Sequence, residues 1–366
     1  MKRLITILLL CSLPLAAWGF GSGEQNVVGS QDQPPLGSEQ DAAGATFTTI
    51  PVSATANTKG AYTQLIASTT NQTLSIQVLA LAIANSTDAP NYLVDIARSS
   101  TVTISIASPG VITWTGNGIP TTGPISFTTS SALPTGLVAA TTYYVHTIVD
   151  ANTFTVSATP GGVDINTTGS QSGTQTGYYA FLPNLDLGAP AQYQLGAINI
   201  LLPVNIPAST QILARAQTNL SSSTETVGLK LSLYAGGFGA KAIDALNAST
   251  TTSFGTVVAP GNGSKGAYVQ MIASTLTAYK GFYFTLDAQG AASSDYNPCA
   301  IDIASGASGS EVPFIVNSLF QDQSGAYFVE NSPYMPFNVA AGTRISARIQ
   351  CSNAQNHIGV SVYGVY

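Results

Sequence analysis

The 366-residue sequence predicts an all-β protein: two tandem antiparallel β-sandwiches, jelly-roll-like, with a small β module inserted in the first. Three observations carry that expectation. The chain repeats a long series of segments in the same order. Its apolar residues alternate with a period of two. One copy of the repeat exceeds the other by a segment rich in β-formers and turn residues.

The repeat opens with "TKGAYTQLIAS" at 58–68, which returns as "SKGAYVQMIAS" at 264–274. Next, "YLVDIARSS" at 92–100 parallels "CAIDIASGA" at 299–307, and "YYAFLPNL" at 178–185 parallels "EVPFIVNS" at 311–318. "LPVNIPASTQILARAQTN" at 202–219 parallels "MPFNVAAGTRISARIQCS" at 335–352, and "VGLKLSLY" at 227–234 answers "IGVSVYGV" at 358–365. Preserved order makes this a tandem duplication. The offset between partners falls from 207 to 133 residues across the first copy, which therefore holds about 74 extra residues between Arg98 and Gly177. The second copy has only "SGASGS" there, and small polar loop tips are where insertions are tolerated. The insert reads as a separate module on a loop.

The periodicity is that of strands. Ile212, Ala214 and Ala216 alternate with Leu213, Arg215 and Gln217; Ile345, Ala347 and Ile349 alternate with Ser346, Arg348 and Gln350. Ile358, Val360 and Val362 alternate with Gly359, Ser361 and Tyr363. A period of two describes a half-buried strand, one face in the core and one outside. The best helical pattern after the N-terminus is "AKAIDALN" at 240–247. The expected order is an N-terminal hydrophobic segment or signal peptide (1–19), a flexible lead (20–45) and the first sandwich (46–235, insert 99–177). A linker (236–251) and the second sandwich (252–366) follow.

Composition narrows the function. Charged residues are 8% of the chain and hydrophobic ones 45%, enough for packed cores. A net charge of −6 argues against nucleic acid, which demands a basic face. Lys2 and Arg3, the run Leu4–Leu10 and the small residues Ala16, Ala17 and Gly19 form an export-type signal, either cleaved after Gly19 or retained as an anchor. A chain starting at residue 20 carries 9 basic and 17 acidic residues, a net of −8. Cys299 and Cys351 remain after that cut, either as a disulfide suited to an exported protein or as two separate buried thiols.

Candidate chemistry is sparse. The two histidines, His146 and His357, lie in different modules, so neither a metal site nor a catalytic triad is nominated, and no cofactor is expected. Asp150 with Asn152 and Asp164 with Asn166 read as turn caps. Asp95 and Asp302 occupy equivalent positions and so do not make one carboxylate pair for glycoside chemistry. They are expected instead to form cross-sheet ion pairs, Asp95 with Arg215 and Asp302 with Arg348, on the non-core faces. Such a pair is worth up to about 1 kcal/mol if exposed. Tyr143, Tyr144, Tyr178 and Tyr179 are read either as surface contacts able to stack on sugars or as packing residues.

The stretch "LPTGLVAATTYYV" followed by "TFTVSATPGGVDINTTGSQSGT" resembles a small β module that recurs in tail and other virion proteins of tailed bacteriophages. The duplicated domains are similar to a family of phage-encoded β-sandwich proteins marked by "KGAY-Q-IAST", "DIA-GA-GSE" and "IPAGT-I-AR-Q". The second copy keeps "DIASGASGSE" intact, whereas the insert interrupts it in the first. The resemblance implies a non-enzymatic structural or host-contact role in a virion: tail fibre, receptor binding or capsid decoration. Symmetric positions on a particle imply a homo-oligomer, taken as a trimer, touching other virion proteins and a host-surface glycan or protein. The export signal favours an alternative, a secreted bacterial surface or carbohydrate-binding protein. A polysaccharide depolymerase is disfavoured by the missing carboxylate pair.

Overall fold

The computed structural model describes residues 39–40, 47–83, 91–188, 195–221, 225–237, 239–247, 255–289, 296–323, 329–352 and 357–366. The signal-like segment at 1–19 and nearly all of the lead lie outside the described residues.

The first copy starts with β1 (Glu39–Gln40), β2 (Thr48–Pro51), β3 (Thr63–Ile66), β4 (Thr73–Ile83) and β5 (Tyr92–Ile104). The insert adds β6 (Ile112–Thr113), β7 (Pro124–Thr129), β8 (Thr142–Ile148) and β9 (Thr153–Ser157). The first copy resumes with β10 (Gln175–Gly188), β11 (Leu195–Ile206), β12 (Gln211–Thr218) and β13 (Thr226–Tyr234). The second copy contains β14 (Ile243–Ala245), β15 (Thr256–Val258), β16 (Gly261–Asn262), β17 (Val269–Ile272), β18 (Tyr279–Gln289) and β19 (Tyr296–Ser305). It closes with β20 (Val312–Gln323), β21 (Val329–Asn331), β22 (Met335–Val339), β23 (Ile345–Cys351) and β24 (His357–Val365).

Each copy is a pair of sheets around an apolar core. In the first, β1, β2, β13, β4 and β11 make one sheet and β10, β5, β12 and β3 lie in the other. In the second, β14, β15, β24, β18, β21 and β22 face β16, β17, β23, β19 and β20. The registers coincide: Arg215 lies opposite Asp95 as Arg348 lies opposite Asp302. Asp186 pairs with Leu93 as Leu319 pairs with Ala300. Both β10 and β20 bulge at an Asn in the left-handed region, Asn184 (φ 48°) and Asn317 (φ 52°). Asn tolerates that conformation better than most residues.

The insert departs from the expected loop module. Strands β5 and β10 run unbroken from the sandwich into it, and β10 pairs with both β5 and β7. Pairings β5–β6, β6–β9, β9–β8 and β8–β7 complete the circuit, so the insert closes as a small barrel sharing two strands with the sandwich. Closure leaves no open edge, and the residues that fill the barrel, Trp114, Phe127, Tyr143, Val145 and Phe154, form one apolar cluster with the core of the first sandwich.

The linker holds the second departure. The expected helix at 240–247 is strand β14, with Ile243 opposite Val365 and Ala245 opposite Tyr363 of β24. A waiting sheet edge overrides weak helical propensity. Strand β1 pairs with β13 at the equivalent place, Gln40 opposite Ser232. The ends of the lead and of the linker are thus first strands of their sandwiches.

The strands are also less half-exposed than the alternation suggests. Leu213, Arg215 and Gln217, on the outer face of β12, are buried. On β24, Ile358, Val360 and Val362 fill the second core, while Tyr363 and Val365 join Tyr283 in the first sandwich's apolar cluster. The outer face of the second sandwich is packed against the first.

Candidate functional site

The repeated "KGAY" segment builds the most elaborate polar cluster in each copy. Lys59 Nζ donates to Asp95 Oδ1 at 2.9 Å and to the Leu93 carbonyl at 3.2 Å. Arg215 Nε donates to Asp95 Oδ2 at 2.9 Å, and the Asn184 N–H reaches Asp95 Oδ1 at 2.9 Å. The Arg215 guanidinium lies 4.7 Å from the Tyr62 ring centre. The second copy reproduces this atom for atom: Lys265 donates to Asp302 at 2.8 Å and to the Ala300 carbonyl at 3.2 Å. Arg348 donates to Asp302 at 2.9 Å and the Asn317 N–H at 2.8 Å, with Arg348 4.5 Å from the Tyr268 ring.

Lys, Gly and Tyr of the motif each have a task. Lys bonds the Asp carboxylate and Tyr lies against the Arg guanidinium. Between them, Gly60 N–H bonds the Ala216 carbonyl and Gly266 N–H bonds that of Ile349. A Cβ at either glycine would fall 2.9 or 2.8 Å from a backbone oxygen, too close for any side chain. At the far end Thr69 Oγ1 donates to the Pro207 carbonyl and Thr275 Oγ1 to that of Ala340, both at 2.9 Å.

Two expectations are thereby corrected. The Asp–Arg pairs join neighbouring strands of one sheet, β5 to β12 and β19 to β23, not separate sheets. The first pair is also sheltered, so the figure for an exposed pair does not apply to it: the Asp95 and Arg215 side chains are 5% and 4% exposed, whereas Arg348 is 31% exposed. Burial pushes the Asp95 carboxyl up, but Lys59, Arg215 and the Asn184 N–H outweigh it and hold it at about 2. Burial also lowers the Lys59 ammonium to about 8 against the pull of Asp95. Asp302 is likewise lowered, burial being outweighed by Lys265, the Asn317 N–H and Arg348.

In the first copy this cluster forms the floor of a cleft of about 560 Å³. The barrel contributes Thr142 and Tyr144 to its walls, and the second copy contributes Asp244, Leu276 and Tyr279. The Tyr279 hydroxyl donates to Asp244 Oδ2 at 2.7 Å, and burial lifts the Asp244 carboxyl to about 6. The carboxylates lining the cleft are Asp95 and Asp244. Asp95 already accepts three hydrogen bonds, so of the two carboxyls it is Asp244 whose titration is moved toward neutrality, as is that of the Lys59 ammonium lining the same cleft.

The four tyrosines divide. Tyr144 and Tyr178 line the cleft, with Tyr178 stacked on Tyr62 at 4.4 Å. Tyr143 and Tyr179 are not surface contacts: both are buried, because their strands turn them into the barrel. The Arg98 guanidinium lies between the Tyr179 and Trp114 rings, 5.3 and 5.5 Å from their centres. Cys299 and Cys351, opposite each other in the ladder, are joined by a disulfide of 2.04 Å.

His146 Nδ1 lies 2.8 Å from Asp164, which also accepts from Thr155. Asp150 caps its own turn through the N–H groups of Asn152 and Thr153. The side chain of His357 lies outside what is described. Among the described residues no three His, Cys, Asp or Glu side chains gather as metal ligands, and no helix is long and apolar enough to cross a membrane.

Sequence reasoning missed Lys59, Lys265, Tyr62, Tyr268 and Asp244. The first four were signalled by the repeat, since Lys and Tyr recur unchanged at both positions. Nothing local marks Asp244, whose environment is assembled from distant segments.

No protein-family model matches the chain, and no curated protein does. A solved structure of PNGF-II, in the C2 space group, resembles it at 10% identity with a TM-score of 0.33. The match covers 87% of this chain but only 64% of that one, and likeness at this level carries no functional argument.

Proposed function

We propose that this chain is a non-enzymatic structural and adhesive component of a bacteriophage particle, at a tail-fibre, receptor-binding or decoration position. The observation that carries the reading is the duplicated Lys–Asp–Arg cluster. The residues that recur with side-chain fidelity hold strands together and leave no free nucleophile or base. A chain that twice invests its polar residues in fastening strands is built to bear contacts. The barrel suits the adhesive part, because it exposes Val138, Ile148, Val149 and Val163 to a partner such as a host-surface glycan or protein.

A second reading, a secreted surface or carbohydrate-binding protein, draws on the cleft, where Tyr144 and Asp244 offer an aromatic face and a hydrogen-bonding carboxyl. A polysaccharide depolymerase would need Asp244 as acid with a second reactive carboxylate, and Asp95 is saturated. Mass spectrometry of purified phage particles and of culture supernatant tests the assignment. Peptides from this chain in the particle fraction, with an N-terminus at residue 20, are expected. Recovery from supernatant alone favours the second reading and overturns the first.

A further inference from the structure

The cleft over the first ion cluster holds two side-chain amides that the fold leaves unused. Arg215 and Gln217 stand two residues apart on β12 and so share its outer face, toward the cleft. Arg215 is engaged with Asp95 and with the Thr142 hydroxyl at 3.3 Å. Gln217 is 3% exposed, and its Nε2 has no hydrogen-bond partner among the described residues. Asn57, lining the same cleft, leaves its buried Oδ1 in the same state. A buried polar atom without a partner is costly to a fold and asks for something to complete it.

The second copy is the internal control. Gln350, the counterpart of Gln217, donates its Nε2 to the Gly263 carbonyl at 3.1 Å. Position 263 corresponds to Asn57. Both residues take the left-handed conformation, at φ 63° and 57°, and both donate their N–H to equivalent carbonyls, those of Cys351 and Thr218. The turn is therefore the same in both copies, yet in the first the glutamine amide has let go of it. Asn accepts this backbone conformation better than most residues, so Asn57 adds a side-chain amide without altering the turn. Both differences fall in the cleft.

Charge and shape narrow the ligand. The cations lining the cleft, Lys59 and Arg215, both already serve Asp95, and Asp244 accepts from Tyr279. Two cations face two carboxyl groups, with no surplus charge to hold a phosphate or a sulfate. What remains is an amide donor, an amide acceptor and the half-buried rings of Tyr144 and Tyr178. Hydroxyls that both donate and accept, on a ring whose C–H face can lie against an aromatic, are the chemistry of a sugar. The volume of about 560 Å³ falls within the roughly 300–1,000 Å³ of small-molecule sites. We infer that Asn57 and Gln217 are the recognition pair of a saccharide site: an uncharged sugar residue of a glycan donates to Asn57 Oδ1, accepts from Gln217 Nε2 and lies against the tyrosine wall. This rests on the carbohydrate-binding reading of the cleft and names the groups that bind and the class they select.

The test is a printed array of neutral, N-acetylated and acidic oligosaccharides, followed by titration calorimetry of the full chain with the best-bound oligosaccharide. Uncharged members should bind. Gln217→Leu and Asn57→Gly, the second installing the residue of the other copy, should each weaken that binding about tenfold, the loss of one hydrogen bond. Circular dichroism should not change, and Gln217→Leu should melt no lower than the unmodified chain, because the fold does not use that amide. Gln350→Leu should leave binding as it was. Binding of uncharged glycans that both cleft variants retain in full overturns the inference and leaves the carbohydrate-binding reading standing. Binding of acidic glycans alone, or a Gln217→Leu chain that melts lower, also overturns the inference. Silence across the whole array overturns the inference and that reading together.

Discussion

The two ion clusters are the same construction under different cover. Around Asp95 the barrel, the Tyr178 ring and the second sandwich close over the site, and Arg215 is 4% exposed. Around Asp302 there is no insert, and Arg348 is 31% exposed. At the position of Tyr178 the second copy has Glu311, which binds Arg344 at 3.0 Å. Geometry is therefore inherited from the repeat, while the energetic weight of that geometry is set by what lies on top. An ion pair beside water is backed by solvent when one partner goes; a covered pair is not.

Removing the shared carboxylate should affect the two copies unequally. Asp95→Ala should destabilise by about 3–5 kcal/mol, because it strands two covered cations. Denaturant melts report it, and a loss no larger than that of Asp302→Ala would show that cover is irrelevant.

The second contrast is the disulfide. Cys299 and Cys351 correspond to Tyr92 and Thr218, where the first sandwich instead bonds the Tyr92 hydroxyl to Glu225 at 2.6 Å. Reduction opens a link across 52 residues and should cost about 2–4 kcal/mol. The second sandwich should lose its amide-exchange protection first; equal loss in both copies would mean that they unfold as one unit.

Asp302→Ala should cost roughly 1–3 kcal/mol, the range for hydrogen bonds to a charged group. Adding Arg348→Ala should change little, since the pair is already broken; simple additivity of the two single losses would argue that they do not interact.

Acid sharpens the picture. Between about pH 4 and pH 2 the unfolded chain protonates Asp95 while the folded chain, held at about 2, does not. Its contribution is complete above about pH 4 and fades as pH falls toward 2, a loss of about 2 kcal/mol. Asp95→Asn should flatten that part of the stability profile.

Asp244 runs the other way. Its raised value, about 6, means that the folded chain keeps a proton the unfolded chain has released. The contribution is complete below about pH 4 and is lost as pH rises through 6. Asp244→Asn should therefore raise stability at pH 7, on the order of 1 kcal/mol. A melting temperature that falls at pH 7 would indicate that the Asp244 charge itself is needed.

How much was legible follows from how local each feature is. Strand periodicity is written in neighbouring residues, and the duplication made both sandwiches and the Asp–Arg pairs visible in one linear string. The cover was not visible. Alternation in "QILARAQ" marks one face as core but cannot say whether Arg215 and Gln217 on the other face meet water or a second layer.

Two β-sandwiches, the place of the insert and the identity of the repeated residues are legible in the chain alone, because each rests on order and spacing along it. Three-dimensional packing closes the insert as a barrel on β5 and β10. It alone turned Tyr143 and Tyr179 inward, seated Tyr363 on the first sandwich, and brought Asp244 to the cleft beside Asp95. Those outcomes depend on which surfaces meet. Contact between segments hundreds of residues apart is governed by shape and burial, which leave no local period to read.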